Sequence, residues 1–465
     1  MRQHNLALVM GTVAAHGPIS RAAVAGHTGL TRAAVSSLVD ELLAGGLLTE
    51  LGPAANGRVG RPGSALEVSE RGPAGLGLEV GVEHLGACVT DLRGAVRVWI
   101  RVESANAALT PAEALTRLSA LADDATQQAA ALGLRPVAAI VAVPGLVGDV
   151  PGTVDHAPNL GWHDVPVAAL WPGELPLRVE NEANLGALAE LWAHPVAADF
   201  VHVSAESGIG AALVVGGRLF SGARGLAGEL GHMPVHPEGH PCSCGARGCL
   251  EQYAGKSAVL RMAGVPAESG TGSAAAGAPA AGGGGGAAAG VPSAGDAGGA
   301  GEPTAAAGDV GGAEEAEGGV VEAVVGRGDV EGANGVGVAG GAAGFGRRGV
   351  SGGRRDVIEM LAVRAGEGDA RVLDALDQAG TALGTALAGA VNLLDPAAVV
   401  LGGAYAELGT WLLPSMRREL AERVTVRSWD SGALTVSELG RRGPLLGAAL
   451  VTVRAIVEDP AALWS

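Results

Sequence analysis

The chain is poor in cysteine and lacks both a long apolar run and an export signal. Of its 465 residues only four are cysteine, while 48% are hydrophobic, enough for packed cores in two or three domains. No apolar stretch approaches the roughly 20 residues that cross a bilayer, and the N-terminus lacks a basic-then-apolar pattern. We therefore expect a cytoplasmic protein with no membrane segment. Cys88, alone in an apolar stretch, is expected to be a small buried hydrophobe.

The chain also lacks an excess of positive charge, since its formal net charge is −17. This excludes bulk electrostatic attraction to nucleic acid, so any DNA binding has to come from a local patch. Residues 1–72 carry six arginines against five acidic residues, which makes that segment about +1 and the remainder about −18. The N-terminal segment therefore lacks the strong negative charge of the remainder. This difference weakly favours DNA binding by that segment.

The N-terminal segment has the order of elements found in a winged helix-turn-helix. Apolar residues at helical spacing predict a first helix, Ser20 and Thr31 each begin another, and Gly29 separates those two. Two short strands are predicted near residues 47–51 and 65–68, joined by a loop rich in glycine and arginine. A hairpin after the third helix makes this a winged helix, which we assign to residues 1–72.

Such a domain would place its third helix in the major groove of DNA and its wing beside a minor groove. The side chains expected to reach DNA are Thr31, Arg32, Ala33, Ser36 and Ser37 of the helix and Arg58 and Arg61 of the wing. The alternative is a small helical module that contacts other proteins. The order of the helices, their caps and the wing together favour DNA binding.

From about Gly75 onward, apolar strands alternate with helices, which is typical of an α/β domain. Two similar halves follow one another, and this implies a cleft between them where a ligand could bind. We expect this domain to occupy residues 73–265 and 354–465. The intervening residues 266–353 are rich in glycine and alanine and have little apolar surface to offset the entropy of ordering. They are predicted to be a disordered insertion, an inert spacer rather than a partner-binding segment.

Three of the four cysteines lie in one short glycine-rich segment. In a reducing compartment such clustering favours a metal over a disulfide. Three thiolates and one imidazole complete a tetrahedral zinc site with no open position, so the zinc is predicted to be structural. The alternative is a glycine turn with reduced cysteines and no metal. The ligands are predicted to be Cys242, Cys244, Cys249 and His232, with His236 and His240 as less favoured choices for the fourth.

Several polar residues stand on otherwise apolar or glycine-rich segments. Paired carboxylates and amides suit neighbouring sugar hydroxyls, because each carboxylate accepts two charge-assisted hydrogen bonds. Glycine turns that follow strands, at Gly208–Gly210 and Gly402–Gly403, could also bring backbone N–H groups to an anion, although such turns are common. The polar residues are Asn159, Asn181, Glu182, Glu229 and Glu251.

These features together resemble the ROK family, which groups bacterial sugar kinases with sugar-responsive transcription repressors. The motifs that carry the resemblance are Gly228-Glu229-Leu230-Gly231-His232, the segment Cys242 to Glu251, and Glu180-Asn181-Glu182-Ala183-Asn184. The resemblance covers nearly all of the chain outside the insertion. It implies a two-lobed, actin-like and ribonuclease-H-like fold of the ATPase type, with zinc bound by His232, Cys242, Cys244 and Cys249. It also implies a sugar site lined by Asn159, Asn181, Glu229, His232 and Glu251.

Two departures separate this chain from the kinases that the family contains. Kinase members carry Asp-x-Gly-Gly-Thr in the first hairpin, where this chain reads Glu79-Val80-Gly81-Val82-Glu83-His84. The second glycine is missing, and Glu83 adds negative charge where phosphate would sit. The catalytic aspartate of the kinases is replaced by Glu182, whose longer side chain shifts the carboxylate by about 1 Å. We therefore expect no phosphoryl transfer and no catalytic residues.

The sugar and zinc elements remain while the phosphate elements are altered, a pattern that favours a sensor. We expect a DNA-binding transcriptional regulator, a repressor of carbohydrate uptake or catabolic genes, in which sugar binding changes the affinity for operator DNA. A homodimer or a dimer of dimers is expected, because one winged helix reads only a half-site. The alternatives are an ATP-dependent sugar kinase with a DNA-binding head and a regulator that responds to a protein partner.

Overall fold

The computed structural model describes residues 1–53, 64–148, 150–193, 197–206, 208–266 and 356–464. The predicted insertion lies outside the described residues except for its first residue, and so do Arg58 and Arg61 of the predicted wing. Among the helices of the described ranges, none is long and apolar enough to cross a membrane.

The N-terminal segment, called the head below, consists of helices followed by an antiparallel hairpin. Both predicted caps are present: Ser20 Oγ accepts a hydrogen bond from Ala23 N, and Thr31 Oγ1 accepts one from Ala34 N, each at 3.2 Å. Gly29 ends the second helix with φ of 70°. A short strand that the sequence did not predict pairs with the hairpin. The elements are α1 (Arg2–His16), β1 (Ile19–Ser20), α2 (Arg21–Thr28), α3 (Arg32–Ala44), β2 (Leu48–Pro53) and β3 (Ser64–Val68).

The first lobe is built on a five-stranded sheet of order β10-β7-β4-β5-β6. Its long helix begins at a capping box, in which Thr110 and Glu113 satisfy each other's backbone N–H groups. The elements are β4 (Gly72–Val80), β5 (His84–Thr90), β6 (Val96–Glu103), α4 (Pro111–Ala131), β7 (Leu134–Val143), β8 (Val154–Ala157), β9 (Trp162–Val165), α5 (Val167–Leu170), β10 (Leu177–Asn181) and α6 (Glu182–Ala193). Cys88 is buried in β5, as expected.

The second lobe has a five-stranded sheet of order β13-β12-β11-β14-β15, so the two predicted α/β halves are confirmed. The helix that begins at Gly409 follows a 3-10 turn, Ala404–Leu408. The remaining elements are β11 (Phe200–Ala205), β12 (Ile209–Val215), β13 (Arg218–Leu219), α7 (Glu251–Ala254), α8 (Lys256–Met262), α9 (Val357–Gly366), α10 (Ala370–Leu394), β14 (Ala398–Gly403), α11 (Gly409–Arg423), β15 (Leu434–Val436) and α12 (Gly443–Glu458).

Helix α12 was not predicted, yet it joins the first lobe to the head. Glycines let it approach closely: a Cβ on Gly77 of β4 would lie 2.3 Å from Leu445 O, and one on Gly447 would lie 1.9 Å from Leu185 O of α6. On another side, Val453 and Ile456 belong to the same hydrophobic cluster as the buried residues of α1. The head therefore shares a packed core with α12, the helix that also packs on the first lobe.

Candidate zinc centre and sugar site

The predicted zinc ligands form one cluster. The ligand atoms of His232, Cys242, Cys244 and Cys249 all lie within 4.8 Å of one another. Cys244 Sγ is 3.7 Å from Cys249 Sγ, and Cys242 Sγ is 3.8 Å from His232 Nδ1. Zinc bound to thiolates at about 2.3 Å in a tetrahedron sets the sulfur atoms about 3.8 Å apart. The donor set and its spacing therefore fit a zinc ion.

Backbone turns bring these ligands together. Cys242 N donates to Ala246 O at 2.9 Å, and Gly245 N donates to Cys242 O at 3.0 Å, which closes a tight turn between the first two cysteines. Gly248 has φ of 70°, and a Cβ there would lie 1.6 Å from His236 O. Only glycine fits this position, because both the left-handed backbone and the close carbonyl exclude a side chain.

The two alternative histidines lie elsewhere on the knuckle. The ring centroids of His236 and His240 are 4.5 Å and 5.4 Å from that of Tyr253, and His240 N donates to Tyr253 Oη at 3.1 Å. Of the three candidate histidines, His232 is the one whose ring nitrogen joins the cysteine sulfurs.

Four of the predicted sugar-binding residues meet beside this cluster. His232 turns Nδ1 to the sulfurs, and its Nε2 lies 3.8 Å from Glu229 Oε2. Glu251 and Asn159 meet at Gly208, where a Cβ would lie 2.5 Å from Glu251 Oε2 and 3.4 Å from Asn159 Nδ2. Burial raises the pKa of Glu229; His232 opposes this shift and Glu251 adds to it. Two carboxylates, an amide and an imidazole thus converge on one small region.

Asn181 and Glu182 have different surroundings. Asn181 Oδ1 accepts from Ala183 N at 2.8 Å and from Asn184 N at 3.2 Å, while its Nδ2 donates to Gly145 O at 2.8 Å. Its side chain therefore holds the start of α6 against the loop after β7. Glu182 lies instead in the charged cluster described next.

A cluster of charged side chains fills the cleft beside the first hairpin. It surrounds a space of only about 10 Å³, roughly the room of one water molecule. His84 Nε2 is 3.2 Å from Glu79 Oε1, and Arg101 Nη2 is 3.2 Å from His84 Nδ1. The side chains of this cluster come from segments of both lobes. The charged members are Glu79, His84, Arg101, Glu182, Glu206 and Arg441.

The cluster is partly self-neutralising. Burial would raise the pKa of Glu79, but His84 and Arg101 more than offset this, so its pKa is lowered. Burial raises the pKa of Glu206 despite Arg441 and Arg101. Arg441 also pairs with Asp356 and, through Nε, with Glu407 Oε1 at 2.9 Å. Nothing in the sequence indicated that Arg101, Glu206 and Arg441 belong to one site, because they lie on separate segments and form no motif.

Ionisation of Glu182 is also disfavoured. Burial and the charges of Glu79 and Glu206 raise its pKa from 4.5 to about 8. The protonated form therefore stabilises the fold fully below about pH 4.5, and this stabilisation is lost as the pH rises through about 8. At about 1.4 kcal/mol per pKa unit, the loss amounts to at most about 5 kcal/mol.

Replacing Glu182 by glutamine, which mimics the protonated acid, is expected to raise the melting temperature at about pH 9 and to change it little at about pH 5. Thermal unfolding across this range measures the effect, with the exposed Glu359→Gln as the matched control. Parallel pH profiles for the variant and the wild type would contradict the assignment.

A larger cavity, of about 350 Å³, lies between β10, the loop after β7 and residues 221–225. Its polar lining includes Arg178, Glu180 and Asn184. Its lining does not include Asn159, Glu229, His232 or Glu251. We keep that four-residue group as the candidate sugar site, because its hydrogen-bonding groups converge.

On the head, Arg32, Ala33 and Ser37 are exposed at the start of α3, whereas Ser36 is half-buried. Thr31 is exposed, with its hydroxyl used in the cap. Arg21 of α2 donates to Asp40 Oδ1 of α3 at 2.7 Å and so holds the two helices together.

Comparison with known proteins agrees with this architecture. The chain is 33% identical over 266 residues to the "Xylose repressor" of Caldicellulosiruptor bescii. The aligned region covers 56% of this chain and 66% of that protein. It is 32% identical over 284 residues to the "Transcriptional regulator Rv0485" of Mycobacterium tuberculosis, which covers 58% of this chain and 63% of that protein. In both cases slightly less than two thirds of the relative is matched.

Solved structures share the fold. A ROK family transcriptional regulator, a homologue of the E. coli MLC protein, aligns with 100% of this chain and 98% of its own at a TM-score of 0.67 and 22% identity. A ROK family glucokinase from Streptomyces griseus, in complex with glucose and AMPPNP, aligns with 81% of this chain and 98% of its own. The TM-score is 0.55 and the sequence identity is 21%. The ROK family model itself matches residues 75–276 and 341–455, more than half of the chain. The chain belongs to the ROK family.

Proposed function

We propose that this protein is a sugar-responsive, DNA-binding transcriptional repressor. The observation that carries the proposal is the contrast within the cleft: Asn159, Glu229, His232 and Glu251 converge, while the region beside the first hairpin is filled by charged side chains. Relatives named as a xylose repressor and a transcriptional regulator support the same function. The genes it controls would serve carbohydrate uptake or catabolism.

The head supports the DNA-binding part of the proposal. Its third helix begins at a capped N-terminus with Arg32, Ala33 and Ser37 exposed, which are the positions that reach base edges and phosphates in helix-turn-helix proteins. Thr31, Ser36 and the wing residues Arg58 and Arg61 complete the proposed interface. We propose a homodimer, because two heads are needed to read the two half-sites of an operator.

Zinc would be structural in this protein. When bound, it supplies a rigid link between the 3-10 turn that ends at His232 and the knuckle that leads into α7. With Nδ1 on the metal, the proton of the imidazole lies on Nε2, on the side of Glu229. His232 can therefore donate a hydrogen bond to a sugar hydroxyl, while Glu229 and Glu251 accept from neighbouring hydroxyls.

The charged cluster argues against the kinase alternative. A relative named "Glucokinase", from Halalkalibacterium halodurans, is 39% identical over 125 residues, but this stretch covers only 26% of the chain. A space of about 10 Å³ leaves no room for a phosphate group. We propose that the protein is not an enzyme and that Glu182 has no catalytic role.

The test is operator binding with and without sugar. The protein is expected to bind DNA from upstream of its own gene, and one of D-xylose, D-glucose and N-acetylglucosamine is expected to weaken that binding by about tenfold or more. Gly208→Ala is expected to raise the Kd for that sugar by about tenfold, because its Cβ displaces the Glu251 carboxylate. Gel shifts and calorimetry measure the two effects.

Gly366→Ala is the matched control, because a Cβ at Gly366 meets nothing within 4 Å. It is expected to leave operator and sugar binding unchanged. Failure to bind the upstream DNA under any condition would contradict the proposal. Turnover of ATP with a sugar in a coupled assay would instead support the kinase.

A further inference from the structure

Lys256 is the only lysine in the chain, which has 31 lysine and arginine residues in all. It begins α8, directly after the short helix α7 that carries Glu251. Its Nζ lies 2.9 Å from Oε2 of Glu83, in the turn between β4 and β5. The Lys256 side chain is only 18% exposed, whereas that of Glu83 is 61% exposed. Glu83 was expected to present its charge to a phosphate, but here it is paired with an ammonium group.

This ion pair joins the two lobes. Glu83 belongs to the first hairpin of the first lobe, and Lys256 belongs to a helix of the second. A weaker contact crosses the same cleft: Arg101 Nη2 of β6 is 4.0 Å from Glu206 Oε1, which follows β11. Glu206 is in turn 3.6 Å from Arg441 Nη1 of the second lobe. Charge pairs across a cleft stabilise only the arrangement in which both partners are close.

We propose that the Glu83–Lys256 ion pair is a latch that favours the closed arrangement of the two lobes and so sets the affinity of the sugar site. Opening the cleft breaks this pair, whereas Lys256 keeps Asp356 of its own lobe as a neighbouring charge. Glu251, on the helix before Lys256, would move with it. The latch therefore couples the first hairpin to a sugar-binding carboxylate.

The link to sugar affinity rests on the proposed function, whereas the latch itself does not. A partly exposed ion pair contributes modestly, so its loss is expected to raise a sugar Kd by about two- to fivefold. Reversal of one charge, which replaces attraction by repulsion, is expected to raise it by about fivefold to tenfold.

The experiment is a charge swap in the full-length protein. Glu83→Lys and Lys256→Glu are made singly and together, and amide hydrogen exchange is measured in the β4–β5 turn and in α8. Each single variant is expected to increase exchange in both segments. The double variant is expected to exchange more slowly than either single variant, although repulsion by Asp356 keeps it above the wild-type rate. The Kd values measured by titration with D-xylose and D-glucose are expected to rank the variants in the same order as the exchange rates.

Asp377→Lys is the control, because it reverses the acid of a surface pair within the second lobe, 3.6 Å from Arg418 Nη1. It is expected to leave amide exchange in the β4–β5 turn and in α8 unchanged. Single variants that exchange like the wild type, or a double variant no better than the singles, would overturn the latch. If no sugar binds the wild type while the exchange pattern holds, the latch stands and the sugar-sensing proposal fails.

Discussion

Cys244→Ser is expected to remove zinc from the protein and, with it, the response to sugar. A structural zinc contributes folding free energy directly, so the knuckle should lose several kcal/mol and the melting temperature should fall by about 10 °C or more. The sugar site should fail with it, because His232 is one of the clustered residues and Glu251 follows Cys249 by two positions at the start of α7. Elemental analysis, thermal unfolding and sugar titration measure the three effects.

His240→Ala is the matched control for this change. His240 lies on the same knuckle, but its ring packs against Tyr253 and its side chain is not in the ligand cluster. It is expected to keep one zinc per chain and the sugar response. The proposed role of the metal would be refuted if Cys244→Ser lost zinc but responded to sugar with wild-type affinity.

Ile456→Ala, in the last helix of the chain, is expected to destabilise the N-terminal head. Ile456 is 4% exposed and packs in the cluster that contains the core of the head. Truncating it should cost about 2–4 kcal/mol. The loss should appear as faster amide exchange in residues 1–53 and as about tenfold weaker operator binding, while sugar binding stays close to wild type.

Ile358→Ala is the matched control, because Ile358 is 2% exposed in the core of the second lobe. It removes the same atoms and is expected to destabilise that lobe without speeding exchange in the head. Equal effects of the two variants on the head would show that α12 has no special role in supporting it. Unchanged exchange in Ile456→Ala would lead to the same conclusion.

Local signals were sufficient for much of the fold. Ser20 and Thr31 each begin a helix as predicted, because an N-cap depends on residues only three positions away. The clustering of the three cysteines was also predictable, since they are separated by only a few residues and glycines between them permit the turns.

Helix α12 escaped prediction for a physical reason. It packs against the first-lobe sheet, α6 and the head at once, so most of its residues are buried and no single apolar stripe appears in its sequence. In a sequence, a helix that is buried on several sides shows no helical periodicity of apolar residues and resembles any other apolar segment. Its partners in the head lie about 440 residues earlier in the chain, where pattern alone cannot connect them.

The sequence alone determined the α/β class, the order of elements in the head and the clustering of His232 with three cysteines, because each depends on near neighbours. The carboxylates and amides that suit a sugar stay a prediction from residue chemistry. Only the tertiary structure decided that Glu182 joins a buried charged cluster, that Glu83 is paired with Lys256, and that the head shares a core with α12. Those relations join residues far apart in the chain, and the packing of the two lobes and the head brings them together.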